Sequence, residues 1–534
     1  IKGEKVLGYQ FSRWSNTDFD FFKTSAELMQ FGINSLIAFN TFPHYSEPDR
    51  RIFLIIPEKI TKMIQGGEKL NTIIELNLRR ILRSYNMSRT AIENVIRFEK
   101  AVLKIPYISR KIGIPDAAEI NFKKLKHKIP EVNWEQYFDG AFGETLSDSD
   151  PLIMWNERFF EDVLKLIKNT DPETLANYLF SKLAGEFNHM IKKTRETCLG
   201  FAKKYLPDVI GAIYVESLGA DNRQQDMLEM FNDVKNSFMD IIENSDWLDI
   251  TTKKGVLQKI FAIEPILGYY NISSLAEIDE NYKSVHLDDI NFFQNIQVLS
   301  TRRNRNIFKN IINQNKDKLW DVYDSTDTNA GYLVGDNRII IRHGVFHDLV
   351  YHPTYPKVLN IGGPGSFIAH EFGHPIDPQS RNIDSNKFMR NWWSNKSTDE
   401  YQRKIECLED QYDNLLNFTN ITNVGKHTLQ ENFADNIGLR ISWNMFKNWA
   451  RKSKTDHKPL PELGFTEDQL FFIAFAKFHC KSNEGDLSNF VLYSYYSPKE
   501  YRVTGTLQNM PEFAEAFECP VGSRMNPIKK CVVF

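Results

Sequence analysis

The chain has 534 residues, more than one hydrophobic core ordinarily supports, so two lobes are expected, with room for a cleft between them. Hydrophobic residues make up 42% and charged residues 25%, and the net charge of -3 lacks the basic excess that a nucleic-acid partner calls for. No apolar stretch approaches the roughly 18 residues of a membrane-spanning helix; segments such as Phe471–Phe478 are too short.

The chain opens on Ile and shows no signal-peptide pattern, so an upstream segment that was removed or never included is expected. Asn34–Phe42 and Arg51–Ile56 are short and rich in Ile, Leu and Phe, which predicts strands. From about Ile52 to Val285 apolar residues recur at three- and four-residue spacing, as in Glu173–Thr197 and Asp226–Glu243, and predict a largely helical first lobe. The polar, turn-forming run Asp321–Asn329 marks entry into a second lobe, where Arg338–Ile341 predicts a strand. Gly362–Gly365 turns into an apolar helix reaching His374, and another helix runs from Glu431 through Leu439 to Trp443. A polar loop with two prolines, Arg451–Glu462, separates two helices late in the chain, and no internal repeat is present.

His370 and His374 stand four residues apart, so on a helix they share a face and both imidazoles reach one ion. Glu371 sits beside the first of them and is suited to take a proton from a water whose pKa the metal has lowered towards about 7. Zinc favours imidazole and carboxylate ligands and keeps a position open in catalytic sites, so a third protein ligand is needed. Glu431 and Asp435, again four apart, offer it: Glu431 completes the coordination of a single Zn2+, and Asp435 accepts a hydrogen bond from the free ring nitrogen of a ligand His. His343, His347 and His352 form another histidine cluster without an evident carboxylate partner and read as surface or pocket-rim residues. A nucleophile-elbow motif is absent, and Gly362–Ser366 lacks the Lys-Ser/Thr of a phosphate loop.

These residues resemble the paired signatures of the neprilysin and endothelin-converting-enzyme type of zinc peptidase, the M13 family. The resemblance lies in His370–His374 followed by Asp377, Glu431–Asn436, Asn329–Tyr332, Leu359–Gly363, Gly505–Asn509, Phe513–Phe517, Met525–Pro527 and Lys530–Cys531. Weaker matches at Tyr214–Glu216, Trp247–Asp249 and Thr252–Lys254 extend it over nearly the whole chain. It implies a mainly α, two-lobed ectodomain whose thermolysin-like (gluzincin) catalytic lobe contains a small β-sheet. The corresponding division is a helical N-terminal domain over 1–270, connecting helices over 271–328 and a catalytic domain over 329–534. It implies a zinc metalloendopeptidase acting on short peptides, with Asn329 and Ala330 binding substrate backbone and Arg502 binding the substrate carbonyl or carboxylate; the guanidinium fork suits planar oxygen groups. It also implies a Cys407–Cys531 disulfide, with the family partners of Cys198, Cys480 and Cys519 upstream of this sequence. An extracellular or cell-surface location follows, with membrane anchoring through that upstream segment; the sequons at Asn86, Asn271, Asn395, Asn417 and Asn420 are compatible with it.

Four departures from the family pattern bear on activity. Tyr496 stands where the family has the His that stabilises the oxyanion; a phenol can donate there too, and losing such a donor costs about 100-fold or more. Pro375 follows the second ligand and must end or kink the helix, because its ring would clash with the carbonyl of Glu371. Gln430 replaces a Gly before the third ligand, and Arg342-His343 replaces an apolar-small pair, which alters pocket shape. Val345, Phe367, Phe478 and His479 match the pocket for the residue after the cleaved bond and suggest a bulky or aromatic preference. A catalytically weak or inactive ectodomain that binds peptides is the competing expectation, motivated by Tyr496 and Pro375.

Overall fold

The computed structural model describes residues 19–44, 47, 49–58, 67–105, 117–188, 195–217, 221–268, 275–289, 291–314, 325–419, 421–453, 464–480 and 494–534. The fold is mainly α with two small sheets, as expected. The chain divides into two compact units, Ile1–Val209 with Ser273–Tyr323, and Ile210–Ile272 with Asp324–Phe534.

The first unit holds strands β1 (Ile37–Pro43), β2 (Arg51–Pro57), β3 (Ala117–Asn121) and β4 (Pro151–Trp155) in the order β1-β2-β4-β3. β1 runs antiparallel to β2 with Ile37 opposite Pro57, β2 parallel to β4, and β3 antiparallel to β4. β2 reads as an unbroken apolar run because both of its faces are covered. Phe53 meets Phe138, Phe142 and Phe308 on one face, while Ile52 and Leu54 pack with Ile153 on the other. The periodic stretch from Glu173 is helical over Pro172–Asn188 and again from Arg195; residues 189–194 lie outside the described set.

The second unit holds strands β5 (Glu264–Leu267), β6 (Ala330–Leu333) and β7 (Arg338–Ile341) in the order β5-β7-β6, with β5 parallel and β6 antiparallel to β7. Its main helices are α1 (Asp221–Glu243), α2 (Ile250–Phe261), α3 (Ser366–Gly373), α4 (Asn395–Leu415), α5 (Leu429–Ser453), α6 (Glu467–Phe478) and α7 (Lys499–Gln508). Helix α1 belongs to this unit: Met230, Phe231, Val234 and Phe238 share a core with Ile368 and Phe372. Of the polar runs, 321–324 and 454–462 lie outside the described residues.

Helix α3 crosses α5 with the two backbones in contact, and two glycines make this possible. A Cβ on Gly438 would lie 2.6 Å from the backbone N of His370, and one on Gly373 would lie 2.8 Å from Cα of Ala434. α3 stops at Gly373, and His374–Ile376 tighten into a 3-10 turn with Pro375 near its start, so the proline ends the helix instead of bending it. Cys407 on α4 and Cys531 form a disulfide, while Cys198, Cys480 and Cys519 are free thiols. Among the described residues no helix is long and apolar enough to cross a membrane.

Candidate metal centre

Because helical backbone geometry continues from α3 into His374, His370 and His374 face the same way, with ring centroids 4.8 Å apart. Their Nε2 atoms lie 3.2 Å from each other. α5 brings Glu431 opposite, its Oε2 3.2 Å from His370 Nε2. That oxygen is buried and makes no hydrogen bond. Ligand atoms of these three residues lie within 4.8 Å of one another, and no other group of metal-binding spacing occurs among the described residues.

Each imidazole is aimed from behind by a carboxylate. His370 Nδ1 lies 2.7 Å from Asp435 Oδ1, and His374 Nδ1 lies 3.0 Å from Asp377 Oδ2. With Nδ1–H donating to a carboxylate, each ring turns the lone pair of Nε2 forward. Two ring nitrogens and a carboxylate oxygen then converge on one point, an arrangement that suits a metal cation. The spacing suits zinc, since two nitrogens each about 2.0–2.1 Å from a tetrahedral ion stand about 3.3 Å apart.

Charge around the site is layered. Burial works against ionisation of Asp435, yet the Arg502 guanidinium and His370 hold its carboxyl far below the usual range. Arg502 donates Nε and Nη2 to Asp435 Oδ2 and Oδ1, both at 2.6 Å. Burial likewise opposes the charged form of His370, but Asp435 and Glu431 pull it upward, and Asp377 does the same for His374. Glu371 is 4% exposed; burial raises its carboxyl, with His370 and His374 pulling the other way, and it accepts a hydrogen bond from the backbone N–H of Tyr332 in β6. Glu431 is held low by His370 and His374 despite burial.

The remaining expected residues fall as follows. Ala330 opens β6, an edge strand of its sheet, and its N–H donates to the side chain of the exposed Asn329 at 3.0 Å. Tyr496 is 38% exposed, its ring 4.8 Å from the Arg502 guanidinium carbon, and burial with the nearby Glu431 charge keeps its phenol protonated. The Phe367 and Phe478 rings pack at a tilt with centroids 4.9 Å apart, His479 adjoins Phe478, and Val345 is buried in the 343–346 turn. The histidine cluster does not assemble: His347 Nδ1 accepts from the backbone of Leu349, His352 Nδ1 pairs with Thr354, and His343 is buried with both nitrogens unpartnered. Asp377 was present only as a motif residue; its three-residue spacing from His374 was the available signal for its role. Arg502, expected on substrate, is engaged by Asp435.

Models of peptidase family M13 match residues 3–270 and 329–533. The chain belongs to peptidase family M13. Its relatives include human endothelin-converting enzyme 1, 29% identical over 476 residues, covering 84% of this chain and 61% of that protein. Mouse endothelin-converting enzyme-like 1 is 28% identical over 515 residues, covering 90% of the chain and 66% of its own length. The M13 chain thus spans about three fifths to two thirds of the length of these relatives. Among solved structures the fold is similar to the Mycobacterium tuberculosis zinc metalloprotease Zmp1 bound to an inhibitor, with a TM-score of 0.80, 16% identity, and 97% and 83% of the two chains covered. It is also similar to a Haemonchus galactose-containing glycoprotein complex, with a TM-score of 0.79, 18% identity, and 96% and 83% covered.

Proposed function

We propose that this M13 chain is a zinc-dependent endopeptidase that hydrolyses short peptides. The observation carrying the proposal is the convergence of His370, His374 and Glu431 on one point beside the buried carboxyl of Glu371. Those three residues would hold a single zinc ion, which would supply Lewis acidity and lower the pKa of a water. Glu371, its proton affinity raised by burial, takes the proton of the attacking water and passes it to the leaving nitrogen. Asn329 and Ala330, at the start of the outer strand β6, bind peptide backbone, a mode in which main-chain bonds orient an extended substrate. The Tyr496 hydroxyl, kept protonated, donates to the developing oxyanion, and Arg502, braced by Asp435, adds positive charge on the same side. Phe367, Phe478, His479 and Val345 receive a bulky or aromatic side chain after the cleaved bond. The Cys407–Cys531 disulfide supports an extracellular or cell-surface setting.

The test is incubation of zinc-loaded protein with a mixture of short peptides, followed by mass spectrometry. Chelator-sensitive cuts ahead of bulky residues are expected, and Tyr496→Phe should lower kcat by about 100-fold. Bound zinc without any cuts would instead favour a peptide-binding module.

A further inference from the structure

The carboxylate behind His374 is itself held by a residue that no part of the proposed mechanism uses. Asp377 has no exposed surface, and both of its oxygens are saturated. Oδ1 accepts the backbone N–H groups of Gln379 at 2.8 Å and Ser380 at 2.7 Å. Oδ2 accepts His374 Nδ1 at 3.0 Å and the side-chain amide of Gln430 at 2.7 Å. Gln430 stands on α5 directly before the ligand Glu431. The turn carrying Asp377 is gripped from other sides as well: the fully buried Lys259 on α2 donates to the carbonyls of Pro375 at 2.7 Å and Ser380 at 2.8 Å, and Tyr401 on α4 donates to that of Ile376 at 2.9 Å. Neither of those residues lies on a helix that carries a candidate ligand, whereas Gln430 does.

The two ligand-bearing segments are therefore linked twice, in opposite senses. His370 of α3 reaches Asp435 of α5, and Gln430 of α5 reaches Asp377 beyond α3. We propose that Gln430 is a positioning residue for the zinc site, setting the placement of His374 relative to Glu431 through Asp377. The proposal rests on the reading of His370, His374 and Glu431 as zinc ligands. Glycine at this position would make no such link, so the side chain supplies an element of metal affinity that the backbone alone lacks.

The test measures zinc affinity of the whole chain by competition with a chromophoric chelator, for wild type, Gln430→Leu, Gln430→Ala and Gln430→Glu. Removing partners that orient a metal ligand costs about 10–100-fold in affinity, and Gln430 acts one bond further out, so Leu and Ala are expected to weaken zinc binding by about tenfold. Glu, which sets a second carboxylate against Asp377, is expected to weaken it further. The thermal midpoint of the Leu variant in excess chelator should match wild type, and the visible spectrum of its Co2+-substituted form should shift. Lowered midpoints in chelator with zinc affinity and cobalt spectrum unchanged would overturn the proposal in favour of a purely structural bond. Absence of zinc binding in wild type would instead overturn the metal reading itself, whatever the variants do.

Discussion

Asp435 serves two masters, orienting His370 with one oxygen while both its oxygens hold Arg502 in a fork. The helical spacing of Glu431 and Asp435 made both carboxylates legible in the sequence, because i and i+4 share a face. The Arg502 fork was not legible, since it joins positions 67 residues apart through packing that local spacing does not encode. The same holds for Gln430, which read as a change of pocket shape and proves to bond Asp377 across 53 residues. His343 shows another residue-scale consequence of burial. It is 2% exposed, neither ring nitrogen is partnered, and burial together with the nearby Arg223 charge lowers it to about 4. Between its ordinary value of 6.5 and about 4, the unfolded chain binds a proton that the folded chain refuses, so stability falls as pH drops through that window. His343→Leu should remove up to about 2 kcal/mol of the loss between roughly pH 7 and pH 5, read from urea unfolding at the two values. An unchanged acid slope would mean that His343 is protonated in the fold.

At the scale of elements, the candidate metal centre depends on how closely α3 and α5 approach. Their crossing leaves no room for a Cβ at Gly438, whose neighbours there are backbone atoms of α3 and cannot rotate away. Gly438→Ala should destabilise the fold by about 1–3 kcal/mol and weaken zinc binding by separating His370 from Glu431. Thermal denaturation and metal competition on the same variant check both effects; full zinc affinity would show that the crossing tolerates the methyl group. α3 and α5 announced themselves through an apolar run and paired ligands, and β1, β2 and β7 through short runs of branched and aromatic residues. The crossing geometry did not, because glycines in helical stretches carry no local signature of what packs on them.

At the scale of the molecule, local patterning is silent on which core a given helix joins. Apolar periodicity marks 226–243 as helix, and α1 packs on α3 through Phe231 and Phe372 at 5.0 Å. The C-terminal tail is tied into the same unit. The disulfide spans 124 residues between α4 and Cys531, Lys404 donates to the Val532 carbonyl, and the Phe534 ring lies 5.2 Å from Trp247. Breaking this link with Cys407→Ser and Cys531→Ser together should cost about 2–5 kcal/mol, measured as a lowered unfolding midpoint relative to the oxidised protein. An unchanged midpoint would show that apolar packing of the tail suffices.

The most direct check on the account is a paired measurement on wild type and Glu371→Gln: zinc content by elemental analysis and peptide cleavage under the same conditions. One zinc per chain in both proteins, with chelator-sensitive cleavage in wild type lost by several orders of magnitude in the variant, is the expected result. Zinc absent from wild type, or cleavage that survives the substitution, would contradict it.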